Sequence, residues 1–299
     1  MTTVGLIGLG AMGSGMAASL RRAGHSVQVF DVRHEVAEAF THAGGTAHDT
    51  LASLGAACDV VVSVVVNAAQ TEAVLFGDGT TPGCATSMKP GSVFVMCSTV
   101  DPNWSVALEA RLEAMGLRYV DAPISGGAAK AASGQMTMMT AGKPEAYAVA
   151  EPFLNAMAAK VYKLGDSAGA GSKVKIINQL LAGVHIAAAA EAMALGLREG
   201  VDAAALYEVI THSAGNSWMF ENRMAHVLAA DYTPLSAVDI FVKDLGIVLD
   251  MARASKFPLP LSSTAHQMFM QASTAGFAKE DDSAVIKIFP GIELPKGKA

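Results

Sequence analysis

The sequence predicts an N-terminal doubly wound α/β sheet followed by an all-α domain, the two joined by a long helix. Three observations carry this expectation. Short apolar runs alternate with amphipathic stretches through the first half, which is the pattern of βαβ units feeding a parallel sheet. After Gly165 the strand signals vanish, and Ala, Met, Leu and Glu at helical spacing take over to about Thr274. A chain of 299 residues is also long enough for two domains. The expected division is 1–164 and 165–299.

Thr3 to Leu9 reads as the first strand, Met12 to Ala23 as its helix closed by Gly24, and Ser26 to Asp31 as the second strand. Cys58 to Val66 is the most hydrophobic strand, and an unbroken apolar run of that kind belongs at the centre of a sheet covered on both faces. Ser92 to Ser98 and Arg118 to Ala122 follow, with Met136 to Ala141 and Ala159 to Leu164 completing the count in a mixed edge. The long helix is expected from about Gly171 to Gly200, because Val174, Ile177, Leu181, Val184, Ala188 and Met193 recur near the 3.6 period. Further helices fit Ala203 to Ser213, Trp218 to Leu228, Val238 to Ser255 and Leu261 to Ala275.

Composition narrows the function classes. Charged residues make up 16% of the chain, well under the roughly 25% of an average soluble protein. Not every helix then has a solvated face, so a homo-oligomer, a homodimer or homotetramer, is expected. No window approaches 18 uninterrupted apolar residues and the N-terminus lacks a basic n-region, so neither a membrane span nor a signal peptide is expected and the cytoplasm is the default. A net charge of -6 without a Lys/Arg run argues against nucleic acid. Cys58, Cys84 and Cys97 have no C-x-x-C spacing and read as buried thiols. Histidine and carboxylate spacing gives no metal site, so metal-free chemistry is expected.

Gly8-Leu9-Gly10-Ala11-Met12-Gly13 follows the first strand and opens the first helix. The first glycine makes the tight turn, the second lets the backbone approach a pyrophosphate, and the third lets helix pack on strand. Free N–H groups at the helix N-terminus then bind phosphates. Asp31 ends the second strand 21 residues after Gly10, where a carboxylate accepts hydrogen bonds from ribose hydroxyls and repels a 2′-phosphate. An NAD-binding Rossmann domain is the expectation, with Arg33 keeping NADP as the alternative. Thr99 stands at the carboxyl end of a strand, where such sheets bind ligands, and is either a cofactor or substrate contact or a turn residue before Pro102.

Asp121-Ala-Pro-Ile-Ser125-Gly126-Gly127 also ends a strand, and two unhindered amides beside a hydroxyl suit a carboxylate; a flexible connector is the other reading. Lys175 and Asn178 are three apart near the start of the long helix and share a face, while Lys173 points elsewhere. A lysine with its pKa lowered by burial or a nearby cation could take the proton of a substrate hydroxyl as hydride leaves. By itself it reads equally as a solvated charge.

In this order the four motifs resemble the β-hydroxyacid dehydrogenase family, relatives of 3-hydroxyisobutyrate dehydrogenase, across essentially the whole chain. The resemblance implies that the glycine turn and Thr99 bind the cofactor, that Lys243, matching the family's K-D pair with Asp244, approaches it, and that Ser125, Gly126 and Gly127 bind the substrate carboxylate. It further implies that Lys175 and Asn178 are catalytic and touch a small hydroxyacid substrate. Gln179 stands where many members have a second asparagine, keeping an amide on a longer arm at the substrate site. Val66 to Phe76 and Ala214 to Arg223 resemble the L-threonate dehydrogenase branch, which would let Asn216, Ser217 and Trp218 line the substrate end; a helix cap at Ser217 before core Trp and Phe is the plainer reading. The resemblance implies oxidation of L-threonate to 2-oxotetronate. The alternatives are another member's reaction, on 3-hydroxyisobutyrate or a tartronate or succinic semialdehyde, and a non-catalytic nucleotide sensor.

Overall fold

A computed structural model describes residues 2–297. The chain forms two compact units, dividing between Lys175 and Ile176. The first holds nine strands, β1 (Val4–Ile7), β2 (Val27–Phe30), β3 (Thr46–Ala47), β4 (Val60–Ser63), β5 (Val93–Met96), β6 (Arg118–Asp121), β7 (Ile124–Ser125), β8 (Met136–Gly142) and β9 (Ala158–Lys163). Its helices are α1 (Gly13–Arg22), α2 (His34–Thr41), α3 (Leu51–Ala57), α4 (Ala68–Phe76), α5 (Pro102–Ala114), α6 (Gly127–Ser133) and α7 (Pro144–Met157).

Six strands run parallel in the order β3-β2-β1-β4-β5-β6, and β8 then joins β6 antiparallel to give the mixed edge with β7 and β9. This is the doubly wound nucleotide-binding order. The valine-rich strand β4 lies between β1 and β5 with every residue buried. Side chains alternate between faces. Val60 and Val62 join Leu6, Val95, Met16 and Phe153 in one layer, whereas Val61 joins Ile7, Phe94, Leu54 and Leu108 in the other. Because the strands are parallel, the loops after β1, β2, β4, β5 and β6 all leave from one edge of the sheet.

The expected strand count needed enlarging. The two-residue strands β3 and β7 are too short to carry a periodic signal, and both exist by pairing with longer neighbours. All three cysteines are buried free thiols in this unit. Burial pushes the Cys58 and Cys84 thiols up to about 12 and that of Cys97 higher still.

The long helix α8 (Ala170–Arg198) begins in the first unit and continues into the second, which adds α9 (Ala203–Thr211), α10 (Trp218–Ala229), α11 (Val238–Ala254), α12 (Pro260–Ala272) and a closing 3₁₀ stretch over Asp282–Ile288. The stripe of α8 that enters the second core is Ile176, Ile186, Ala190 and Met193, packed with Phe220, Phe241, Leu245 and Phe269. Of the apolar positions whose spacing predicts this helix, Val174, Ile177 and Leu181 are exposed. The helix is apolar on more than one face, so periodicity locates the helix without saying which stripe is inside. By length and composition α8 is also the one helix among the described residues able to cross a bilayer; averaged hydropathy tolerates the polar residues that interrupt every apolar run.

The start of the closing 3₁₀ stretch is held by buried carboxylates. Asp281 accepts from the Ser283 amide and hydroxyl and from the Leu235 amide, and Arg223 pairs with Asp282 through Nε at 2.5 Å and Nη2 at 3.2 Å.

Candidate active site

The glycine turn connects β1 to α1, and its three glycines meet different surroundings. Gly8 has φ +92°, and a Cβ there would lie 2.5 Å from the Val64 carbonyl oxygen. A Cβ on Gly13 would lie 1.8 Å from the Gly8 carbonyl oxygen. Both are glycine because the fold demands it. A Cβ on Gly10 would meet nothing within 4 Å, so no protein atom explains this glycine. Helix α1 begins without a side-chain cap and without an acidic residue in its first turn, which leaves its first amides to an anion. Ala11 is exposed and Met12 half-buried. These residues fit the pyrophosphate of a dinucleotide.

At the end of β2, Asp31 is 6% exposed and accepts from the Leu9 amide at 2.7 Å and the Arg33 amide at 2.9 Å. Leu9 thus braces the turn with its N–H while its side chain lies in the core. Arg33 also folds back on the carboxylate, with Nε at 3.1 Å and Nη2 at 3.3 Å. Burial alone would raise the Asp31 carboxyl, but the bonds from Arg33 and Leu9 outweigh it and hold the group below the ordinary carboxylate value. The residue is therefore an anion at neutral pH. Thr99, half-buried, follows β5 at the same sheet edge. Its neighbour Ser98 ties two loops there by donating to the Val65 carbonyl at 2.7 Å and meeting Thr71 Oγ1 at 3.2 Å.

The loop after β6 carries Ser125, half-buried, then Gly126 and Gly127, both with positive φ. Asp121, the last residue of β6, is fully buried and points its carboxylate at the start of α8, accepting from Gly169 N at 2.9 Å, Ser172 N at 2.9 Å and Ser172 Oγ at 2.6 Å. Burial raises this carboxyl despite those bonds. A second buried carboxylate, Glu109 of α5, accepts from Ala168 N at 3.1 Å. Gly171 completes the docking, since a Cβ there would lie 2.4 Å from the Met139 carbonyl oxygen. The first turns of α8 are thus fixed to the sheet, and Lys175, one turn beyond Ser172, is 7% exposed while Lys173 is exposed. The nearest sequence signal for this arrangement is the pair Gly169 and Gly171; nothing in the sequence marks Glu109 or Asp121 as the residues that hold it.

Within the second unit, Gln179 is buried and donates Nε2 to Asp244 Oδ2 at 2.6 Å, while its Oε1 accepts from Asn178 Nδ2 at 3.0 Å. Lys243 Nζ lies 2.7 Å from Asp244 Oδ1. Ser217 caps α10 by accepting from Phe220 N at 3.0 Å, and Asn216 donates to the Thr211 carbonyl and to Glu221. Phe220 is in the core, but Trp218 is 53% exposed, which departs from the plainer reading of a core tryptophan.

Two family models match in succession. Residues 3–165 match the NAD binding domain of 6-phosphogluconate dehydrogenase, and residues 169–289 match the NAD-binding domain of NADP-dependent 3-hydroxyisobutyrate dehydrogenase. The chain is 68% identical to L-threonate dehydrogenase of Cupriavidus necator, over 99% of this chain and 98% of that protein. The chain belongs to the β-hydroxyacid dehydrogenase family. Its place there is the L-threonate dehydrogenase branch, since the L-threonate dehydrogenase of Pectobacterium atrosepticum is also 52% identical over 99% of this chain and 96% of that protein. A crystal structure of 3-hydroxyisobutyrate dehydrogenase from Salmonella typhimurium superimposes with a TM-score of 0.92 at 52% identity, covering 97% of this chain and 100% of that one. This β-hydroxyacid dehydrogenase takes a nicotinamide cofactor and a small-molecule substrate.

Proposed function

We propose that the protein oxidises L-threonate at its C2 hydroxyl to 2-oxotetronate, using NAD and Lys175 as general base. The observation that carries the chemistry is the burial of Lys175 on a helix start clamped by Asp121. Full-length identity of 68% to an L-threonate dehydrogenase supports the substrate. A bound nicotinamide would supply the acceptor for the hydride on C2. In the same step the neutral Lys175 amine takes the hydroxyl proton and becomes an ammonium, so C2 and its oxygen are left as a carbonyl. Ser125 with the amides of Gly126 and Gly127 holds the substrate carboxylate, and Asn178 orients the hydroxyl.

The amides of the turn from Gly8 to Gly13 hold the pyrophosphate, Thr99 and Lys243 assist, and the ionised Asp31 takes the ribose hydroxyls. Arg33 is already paired with Asp31, which favours NAD over NADP.

Activity on a panel of hydroxyacids with each cofactor, followed by the absorbance of reduced nicotinamide, tests this. Turnover with L-threonate and NAD exceeding that with glycerate supports it; none with L-threonate beside good turnover of another hydroxyacid overturns the substrate. The Salmonella structure favours 3-hydroxyisobutyrate as the second reading, and the same panel separates them. The exposed stripe Val174, Ile177, Leu181 and Leu195 on α8 supports a homodimer or homotetramer, measurable by light scattering. Three unpaired buried thiols suit the reducing cytoplasm.

A further inference from the structure

We propose that Gln179 is a positioning residue that decides which end of the Asn178 carboxamide faces the substrate, and that it takes its own orientation from Asp244. A lone asparagine side chain has a donor end and an acceptor end of nearly equal size, and either can be turned outward. Here the choice is made from the interior. Asp244 is fully buried and its carboxylate can only accept. Gln179 must therefore turn its NH₂ to Asp244 Oδ2, 2.6 Å away. That leaves Gln179 Oε1 on the other side, where it also can only accept, and Asn178 Nδ2 donates to it at 3.0 Å. One N–H of the Asn178 amide is thereby held toward Gln179, which turns the carboxamide so that Oδ1 lies on its other side.

An acceptor at that position takes a hydrogen bond from a substrate hydroxyl. Lys243 Nζ stands 2.7 Å from the other Asp244 oxygen, so this carboxylate meets a cation on one side and the Gln179 amide on the other. The longer arm of Gln179 reaches both partners at once, Asp244 Oδ2 at 2.6 Å and Asn178 Nδ2 at 3.0 Å.

The inference rests on the assignment of Asn178 to the substrate site made above, and a double-mutant cycle separates the two. Gln179→Met, Asn178→Ala and the double variant are compared with the parent protein for kcat and KM on the best hydroxyacid of the panel, for NAD Kd by calorimetry, and for Tm. Gln179→Met is expected to lower kcat/KM about 10-fold, the scale of one or two lost hydrogen bonds, with NAD Kd unchanged. In the Asn178→Ala background the same substitution is expected to cost nothing further. Additive losses overturn the relay while leaving Asn178 in the site. Parental activity in Asn178→Ala removes Asn178 from the site and overturns the relay with it. If Gln179→Met does not fold, Gln179→Asn makes the same comparison.

Discussion

The carboxylate of Asp121 accepts twice from Ser172, at 2.9 Å from its amide and 2.6 Å from its hydroxyl. One residue thus ends the strand that leads into Ser125, Gly126 and Gly127 and also seats the helix that bears Lys175. Asp121→Ala strands three buried donors and is expected to cost about 3 kcal/mol or more in urea unfolding. Asp121→Asn keeps an acceptor and the shape, and its loss is expected to be smaller.

Lys175→Ala separates chemistry from binding. Calorimetric NAD affinity is expected to match the parent, while kcat falls about 10²- to 10⁴-fold, the usual contribution of a general acid–base group.

The glycines Gly10 and Gly13 give opposite outcomes for the same substitution. Gly13→Ala drives a methyl onto the Gly8 carbonyl, so Tm is expected to fall. Gly10→Ala meets open space in the protein, so Tm is expected to hold while NAD affinity drops. Calorimetry beside thermal melts reads both.

Cofactor choice turns on the Asp31 carboxylate. Replacing it in Asp31→Ser removes the charge facing a 2′-phosphate and releases Arg33 from its ion pair. The ratio of kcat/KM for NADP over NAD is expected to rise about 10- to 100-fold, the worth of one charge-assisted contact.

Burial pushes the Asp282 carboxyl up from 3.8 to about 7, even against its pairing with Arg223. A raised folded pKa means the native chain binds a proton that the unfolded chain has released. This contribution to stability is therefore complete below the ordinary carboxylate range and is lost as pH rises from about 4 toward 7. Asp282→Asn is expected to flatten that slope in denaturant titrations across the interval.

The parts of this molecule legible in the sequence are those built from local repetition. The strand Val60–Ser63 announces itself by an unbroken valine run, and α8 by its apolar period. The glycine turn is legible because its three glycines fall at a fixed spacing between a strand and a helix, and two of them, Gly8 and Gly13, are required by close backbone contact. What stayed hidden depends on partners far along the chain. Asp121 reaches Ser172 across 51 positions and Glu109 reaches Ala168 across 59; on sequence grounds Glu109 is one more charge on a helix. Gln179 could be seen to depart from the family's asparagine, but its purpose needed Asp244, 65 residues on. Likewise Asp282–Ile288 forms no α-helix and no strand, and its burial follows from Asp281 and Arg223 rather than from periodicity.

The three cysteines of the chain all lie in the first unit, buried and with thiols pushed far from ionisation. An alkylating reagent reacts with thiolate, so the native protein resists it. Labelling then proceeds only through opening of the sheet domain, and the helical domain is silent to it. Nature has left a clock in one half of the molecule: the rate of thiol modification, with and without dinucleotide, times how often that half breathes.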